Sequence, residues 1–335
     1  MDGKKLIDRK RDSGGSSNIG TLEDGAIEEM ITIEGRLIII KERSIYESIR
    51  ADDIDPQRTN IGLPNNIHRL LVNQGTESEL VGRTFLTAKT LFIPACYDVQ
   101  IKTERALSLT LHLLEELIVL QEEINNYLNE EKRVCGEYEK RRTLPVSYAI
   151  PTIVNLETLC KTIFQKADHV EQILIEIVTI FYPNSELTKQ SHFPKFHSIL
   201  VNKYGEQDPF SEFLSRTLPF MKIIRLLRNG LDHRAAGTVK VRNFELQADS
   251  SIISPTIELD HKEGKLERIS LFDFLPIVLN NILVIIEDLL AHLASKNGTV
   301  FGIYEVRHIP ENERRYKFVR YSFWAPFGDT GFYRQ

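Results

Sequence analysis

Cysteine is scarce. The chain has only Cys96, Cys135 and Cys160 in 335 residues, far apart and without C-x-x-C spacing. That excludes a disulfide framework or a paired-cysteine zinc site and fits free thiols in a reducing compartment. Charge of one sign is lacking too: 42 Lys and Arg stand against 47 Asp and Glu, a net charge of -5. A protein basic overall is excluded, and any nucleic-acid contact must come from a local patch. Uninterrupted apolar runs are also missing. The most apolar text, LFDFLPIVLNNILVIIEDLLAHL from Leu271, contains Asp273, Pro276, Asn280, Asn281, Glu287 and Asp288. So many polar groups are costly in hydrocarbon, so a buried helix of a globular bundle is expected there. The first 25 residues have no apolar core of a signal peptide and read as a disordered tail, so a cytoplasmic location is expected. No P-loop, G-x-G-x-x-G or G-x-S-x-G occurs, leaving nucleotide hydrolysis, Rossmann chemistry and serine hydrolysis without local support.

The text present divides into four expected segments. After the tail (1–25), residues 26–97 read as a small α+β region. There MITIEGRLIIIKE and GRTFLTAKTLFI are rich in β-branched residues and flank the turn-rich DDIDPQRTNIGLPNN. Residues 98–296 read as a helical domain. Leu107, Leu111, Leu114, Ile118 and Leu128 share one face of a long helix ending near Arg133, and a second helix covers Leu156 to Phe181. Shorter helical text from His197 to Tyr204 leads to a third major helix carrying Phe213, Phe220, Ile224, Leu227 and Leu231, with Pro219 expected to kink or restart it. A fourth opens at Ser270, where Ser-Leu-Phe-Asp resembles a capping box. Between the third and fourth, alternating text turned by KEG predicts a β-hairpin. Residues 297–335 predict a second hairpin, VFGIYEVRHI paired with RYKFVRYSFWA. The expected fold class is mainly α: an antiparallel four-helix bundle with a hairpin insertion, an N-terminal α+β region and a C-terminal hairpin.

The densest cluster of chemistry is LLRNGLDHRAAG, Leu226 to Gly237. On a helix Asn229 and His233 share a face, Lys222 and Arg225 extend it by whole turns, and Arg228 lies about 100° round. Two readings stand side by side. In one, the helix ends here: Arg228 and Asp232 form an i,i+4 pair, Gly230 is the capping glycine, and His233 and Arg234 favour the negative end. In the other, the cluster cleaves RNA without metal. A histidine, titrating near ~6.5, takes the 2′-hydroxyl proton, and an arginine holds the developing phosphorane charge.

The second reading carries a resemblance. R-N-G-L-D-H resembles the signature of the HEPN superfamily (higher eukaryotes and prokaryotes nucleotide-binding), an arginine, a polar residue and a histidine four to six positions after the arginine. The order of elements, with the motif late on an inner helix and then a hairpin and closing helix, agrees. The resemblance covers about 98–296. It implies a metal-independent endoribonuclease or RNA-binding module, often a toxin or anti-phage abortive-infection effector, in which two motifs meet across a homodimer. Arg228, Asn229 and His233 are then the catalytic candidates, with no metal or cofactor, and an antitoxin or other regulatory partner is a further expectation. A catalytically silent HEPN module binding RNA, a nucleotide or a protein, and a purely structural helical scaffold, are the alternatives.

Lys222, Arg225 and Arg234 are the RNA-binding candidates beside the motif. A second set, Arg315, Lys317, Arg320 and Tyr321, lies in RRYKFVRYSFW, where cations and aromatics interleave as if to neutralise and stack single-stranded RNA. As a strand this text places Tyr316, Phe318, Arg320 and Ser322 on one side and Lys317, Val319, Tyr321 and Phe323 on the other. His112 with Glu115 and Glu116 has a spacing usable in a metal site but reads as a solvated cluster. His192 and His197 read as loop histidines.

Overall fold

A computed structural model describes residues 5–13, 17–141, 149–233, 238–298, 304–327 and 330–335. In chain order it contains α1 (Leu6–Asp12), β1 (Ile27–Ile33), β2 (Arg36–Lys41), β3 (Ile45–Arg50), α2 (Ala51–Ile54), β4 (Asn66–Val72), α3 (Glu79–Val81) and α4 (Thr87–Leu91). The long α5 (Thr103–Arg141), α6 (Leu156–Phe181), α7 (Phe193–Tyr204) and α8 (Pro209–His233) follow. Then come β5 (Val239–Arg242), β6 (Glu245–Leu246), β7 (Ile252–Ile253), β8 (Thr256–His261), β9 (Gly264–Ser270), α9 (Leu271–Asn297), β10 (Glu305–His308), β11 (Tyr321–Phe327) and β12 (Thr330–Tyr333). Helix predominates, at 52% of residues, but 20% strand in several small sheets makes the fold mixed.

The chain divides into two compact units: residues up to Leu111 together with those from Ala294, and residues 112–293. The first, the strand unit, holds a four-stranded antiparallel sheet in the order β1-β2-β3-β4 and a three-stranded sheet β10-β11-β12. β1 and β2 form a hairpin within the expected α+β region, turned at Glu34 and Gly35, both with positive φ, the backbone twist that suits a two-residue turn.

Three expectations fail in this unit. GRTFLTAKTLFI is helical, not extended: α3 runs through a π-helical turn, Gly82–Leu86, into α4. Its threonines give the physical reason. Thr84, Thr87 and Thr90 donate back to the carbonyls of Leu80, Gly82 and Leu86 at 2.6–2.8 Å, so β-branched side chains find polar partners inside a buried helix. The tail is not structureless, because α1 is tied down: Lys10 donates to the Ile61 carbonyl, and Arg58 pairs with Asp8 and Asp12 at 3.2 and 3.0 Å. Finally, residues 314–320 are turns rather than strand, so the alternating faces expected there do not form. The paired strands are β10 and β11, in the register Glu305↔Trp324 to His308↔Tyr321.

In the helical unit, α6 has the predicted bounds. α8 is continuous through Pro219 and buries Phe210, Leu214, Met221, Ile224, Leu227 and Leu231, while Phe213 and Phe220 are only half-buried. It packs against α6 and α7. α9 is capped as predicted, the Asp273 N–H donating to Ser270 Oγ at 3.4 Å. Among the described residues it is the one helix long and apolar enough to cross a membrane, and 61% of its most apolar stretch is buried within the protein. β8 and β9 form the expected hairpin, and β5 adds to it in the order β5-β8-β9.

Candidate functional site

The motif helix does not end at Gly230. α8 continues to His233, so Gly230 is no capping residue; it stands inside the helix because β5 passes beside it. A Cβ there would run into Val239 and come within 3.1 Å of Thr238 Oγ1. The glycine is a close-approach position that lets the sheet pack on the motif helix.

Around Gly230 the helix presents two faces. On one, Lys222, Arg225 and Asn229 line a cleft of about 1000 Å3 walled opposite by the β8–β9 hairpin, which contributes His261, Glu263 and Lys265. Pro194, Pro219, Ile223 and Leu226 supply its apolar surface. Lys222 lies 3.5 Å from Glu263. His261 accepts the Glu263 backbone N–H on Nδ1 at 3.1 Å, which leaves Nε2 as the protonated nitrogen of the neutral ring. The cleft thus combines cations, a carboxamide and an imidazole, groups able to hold a phosphate and move a proton.

On the other face Arg228 turns toward acids. Its Nε is 3.0 Å from Asp232 and 3.9 Å from Asp168, and its Nη1 donates to Asn229 Oδ1 at 2.8 Å. Asp232 is shared with Lys161 of α6 at 2.9 Å. Arg225 reaches past the cleft to the same helix, 2.5 Å from Glu171 and 3.9 Å from Asp168. Glu171 is fully buried, and its other oxygen accepts the Phe193 N–H at 3.0 Å. The carboxylate therefore fastens α6, α7 and α8 together. The i,i+4 pair of the helix-end reading is present, although the helix end it was meant to describe is not. Arg234 and the side chain of His233 lie outside the described residues.

No family model matches the chain, and neither the curated proteins nor the solved structures contain a significant match to it. The site is therefore argued from its own residues.

The second set of RNA-binding candidates is in the other unit. Arg315, Lys317 and Arg320 line a pocket of about 730 Å3 with Arg83, Arg314 and His308, on the turns at 314–320, while Tyr321 stands at the start of β11 with its ring edge against His308. Among the remaining candidates, His112 Nδ1 lies 3.3 Å from Glu115, whereas Glu116 joins α5 to α6 through Lys166 at 2.9 Å and His169 at 3.5 Å. Burial pushes the Glu116 carboxyl up, but Lys166 and His169 outweigh it and hold it below the usual range. Among the described residues no three His, Cys, Asp or Glu side chains converge on one point. His192 is the residue before α7, and His197 lies within that helix, not on a loop. The sequence reading missed His261 and Lys265. The KEG turn was their signal, since it places both at the mouth of a hairpin that must fold back on the preceding helix.

Proposed function

We propose that the helical unit is a HEPN-type module acting on RNA, a metal-independent endoribonuclease whose composite site forms when two copies bring their motifs together. The observation that carries the proposal is the cleft: the polar face of the motif helix, Lys222, Arg225 and Asn229, lines the same space as His261 and Lys265. Lys222 and Lys265, on opposite walls of the groove, suit phosphates, Arg225 fixes the helix face between them through Glu171, and Asn229 suits orientation of a sugar or phosphate oxygen. His233 would exchange the proton of the 2′-hydroxyl and Arg228 would stabilise the phosphorane. Arg228 is about one-third exposed. Its pair with Asp232 is worth no more than ~1 kcal/mol, so a more highly charged phosphorane can displace that carboxylate. In this role the protein would be a cytoplasmic toxin or anti-phage effector, restrained by an antitoxin or another regulatory partner.

A second reading, a catalytically silent module binding RNA, a nucleotide or a protein, is favoured by one observation: Arg228 and Arg225 are engaged with acids of their own unit. Incubation of the full chain with single-stranded RNA in EDTA separates the two. Cleavage leaving a 2′,3′-cyclic phosphate and a 5′-hydroxyl is expected, lost in His233→Ala and Arg228→Ala and retained in Asp232→Ala. RNA retention without cleavage supports the silent reading, and equal losses in all three variants that track melting temperature would sink both roles of the motif.

A further inference from the structure

The pocket of the strand unit is a separate site with a different charge balance, and it goes beyond the RNA reading of the helical unit. Five cationic side chains line it, Arg83, Arg314, Arg315, Lys317 and Arg320, against two carboxylates, Glu79 and Glu311. Two of the five are built into the fold. Arg83 is 4% exposed and anchored by Glu79 at 2.9 Å. The Arg314 side chain is 9% exposed, and its guanidinium donates to the carbonyls of Ile309 and Lys317 at 3.0 and 3.3 Å, with Glu311 no nearer than 3.9 Å. Neutral carbonyls hold that guanidinium in place without cancelling its charge. Arg315 is the partly neutralised member, 3.0 Å from Glu29, while Lys317 is exposed at the rim.

The backbone is shaped to the same end. Arg83 sits in the π-helical turn Gly82–Leu86, a widened turn that is uncommon in helices and often found at functional sites. Beside it Gly82 has no side chain because Phe318 occupies that space, so the turns bearing Arg315, Lys317 and Arg320 lie directly on the helix bearing Arg83. A buried cation, a positioned guanidinium and further cations nearer the surface, converging in about 730 Å3, match the size and charge of a small polyanion.

We propose that this pocket binds the polyphosphate of a nucleoside triphosphate or of a triphosphorylated RNA 5′ end, Arg83 and Arg314 fixing the phosphates and Lys317 and Arg320 closing on them. Isothermal titration of the full chain with pyrophosphate, ATP, and one short RNA carrying either a 5′-triphosphate or a 5′-hydroxyl tests it. Binding of pyrophosphate and ATP is expected, weakened about tenfold in each of Lys317→Ala and Arg320→Ala, in line with loss of one charge-assisted hydrogen bond. Lys317→Ala should melt like the parent, and the affinity of Arg320→Ala is compared at a temperature where circular dichroism shows it folded. Lys222→Ala, in the cleft of the helical unit, should leave pyrophosphate and ATP binding unchanged while weakening both RNAs alike, so failure of the RNA reading there is distinguishable from failure here. ATP bound more tightly than the triphosphorylated RNA identifies a free nucleotide as ligand; the reverse, with loss on the 5′-hydroxyl RNA, identifies an RNA end. Absence of binding by any probe at millimolar concentration, binding retained in the Lys317→Ala/Arg320→Ala double variant, or equal affinity for the two RNA ends without pyrophosphate binding would overturn the proposal.

Discussion

Arg225 and Arg228 of the helical unit and Arg314 of the strand unit are held in opposite ways. In the helical unit Arg225 and Arg228 point into a set of acids on α6, and Glu171 and Asp168 are buried with them. In the strand unit Arg314 is held by backbone carbonyls and the neighbouring cations outnumber the carboxylates. The same residue type is a fastener in one place and a source of positive potential in the other. What decides between them is the partner's charge: a buried carboxylate consumes the guanidinium, whereas a carbonyl positions it and leaves its field to an incoming anion.

The contrast makes its largest mark on stability at Glu171. Glu171→Ala strands the Arg225 guanidinium and the Phe193 N–H, and the helical unit should lose about 3 kcal/mol or more in urea unfolding. A loss below about 1 kcal/mol would show that Arg225 is as available as the cations of the other unit. A smaller effect is expected at a half-buried ion pair of the sheet. Glu258 is bound by Arg242 and Lys240 at 2.7 and 2.9 Å, and these cations hold its carboxyl down from the usual 4.5 to about 2. A depressed carboxyl contributes stability above its unfolded value and loses it as pH falls through the folded one. The melting-temperature gap between the parent and Glu258→Gln should thus be present at neutral pH and close between about pH 4.5 and 2. A gap that persists at pH 2 would refute the assignment to this carboxylate. The smallest effect belongs to the strand unit: Lys317→Ala should move stability by less than about 0.5 kcal/mol, since its exposed cation touches only the Phe318 ring, 4.9 Å from the ring centre, and pairs with no buried carboxylate among the described residues. A loss of several times that would make Lys317 another fastener and erase the comparison.

Legibility followed periodicity. α6, the Ser270 cap and the β8–β9 hairpin could be read because local pattern and final packing agree there. The helix through Gly82 could not, because its threonines satisfy themselves on the preceding turns, a solution composition does not announce. Nor could the turns at 314–320: alternating aromatics and cations read as strand, but Phe318 is spent on Gly82 and Arg314 on the carbonyls of Ile309 and Lys317. In the candidate site, spacing alone put Lys222, Arg225 and Asn229 on one face, and they do line one cleft. The Arg228–Asp232 pair could be read from its i,i+4 spacing, but Glu171, the partner of Arg225, lies more than fifty positions away in sequence, and no local pattern could pair them. Gly230 was misread for the same reason, since what requires a glycine there is a strand that has not yet begun in the sequence.

That last position has a consequence for how the chain can change. Position 230 has no room for a methyl group while Val239 occupies its present place, and the strand that pairs directly with that of Val239 ends at His261. Gly230 and Val239 therefore behave as a single inherited character. A lineage that enlarged the first would have to shrink the second in step, and among descendants of this chain the two positions should covary or both stay fixed.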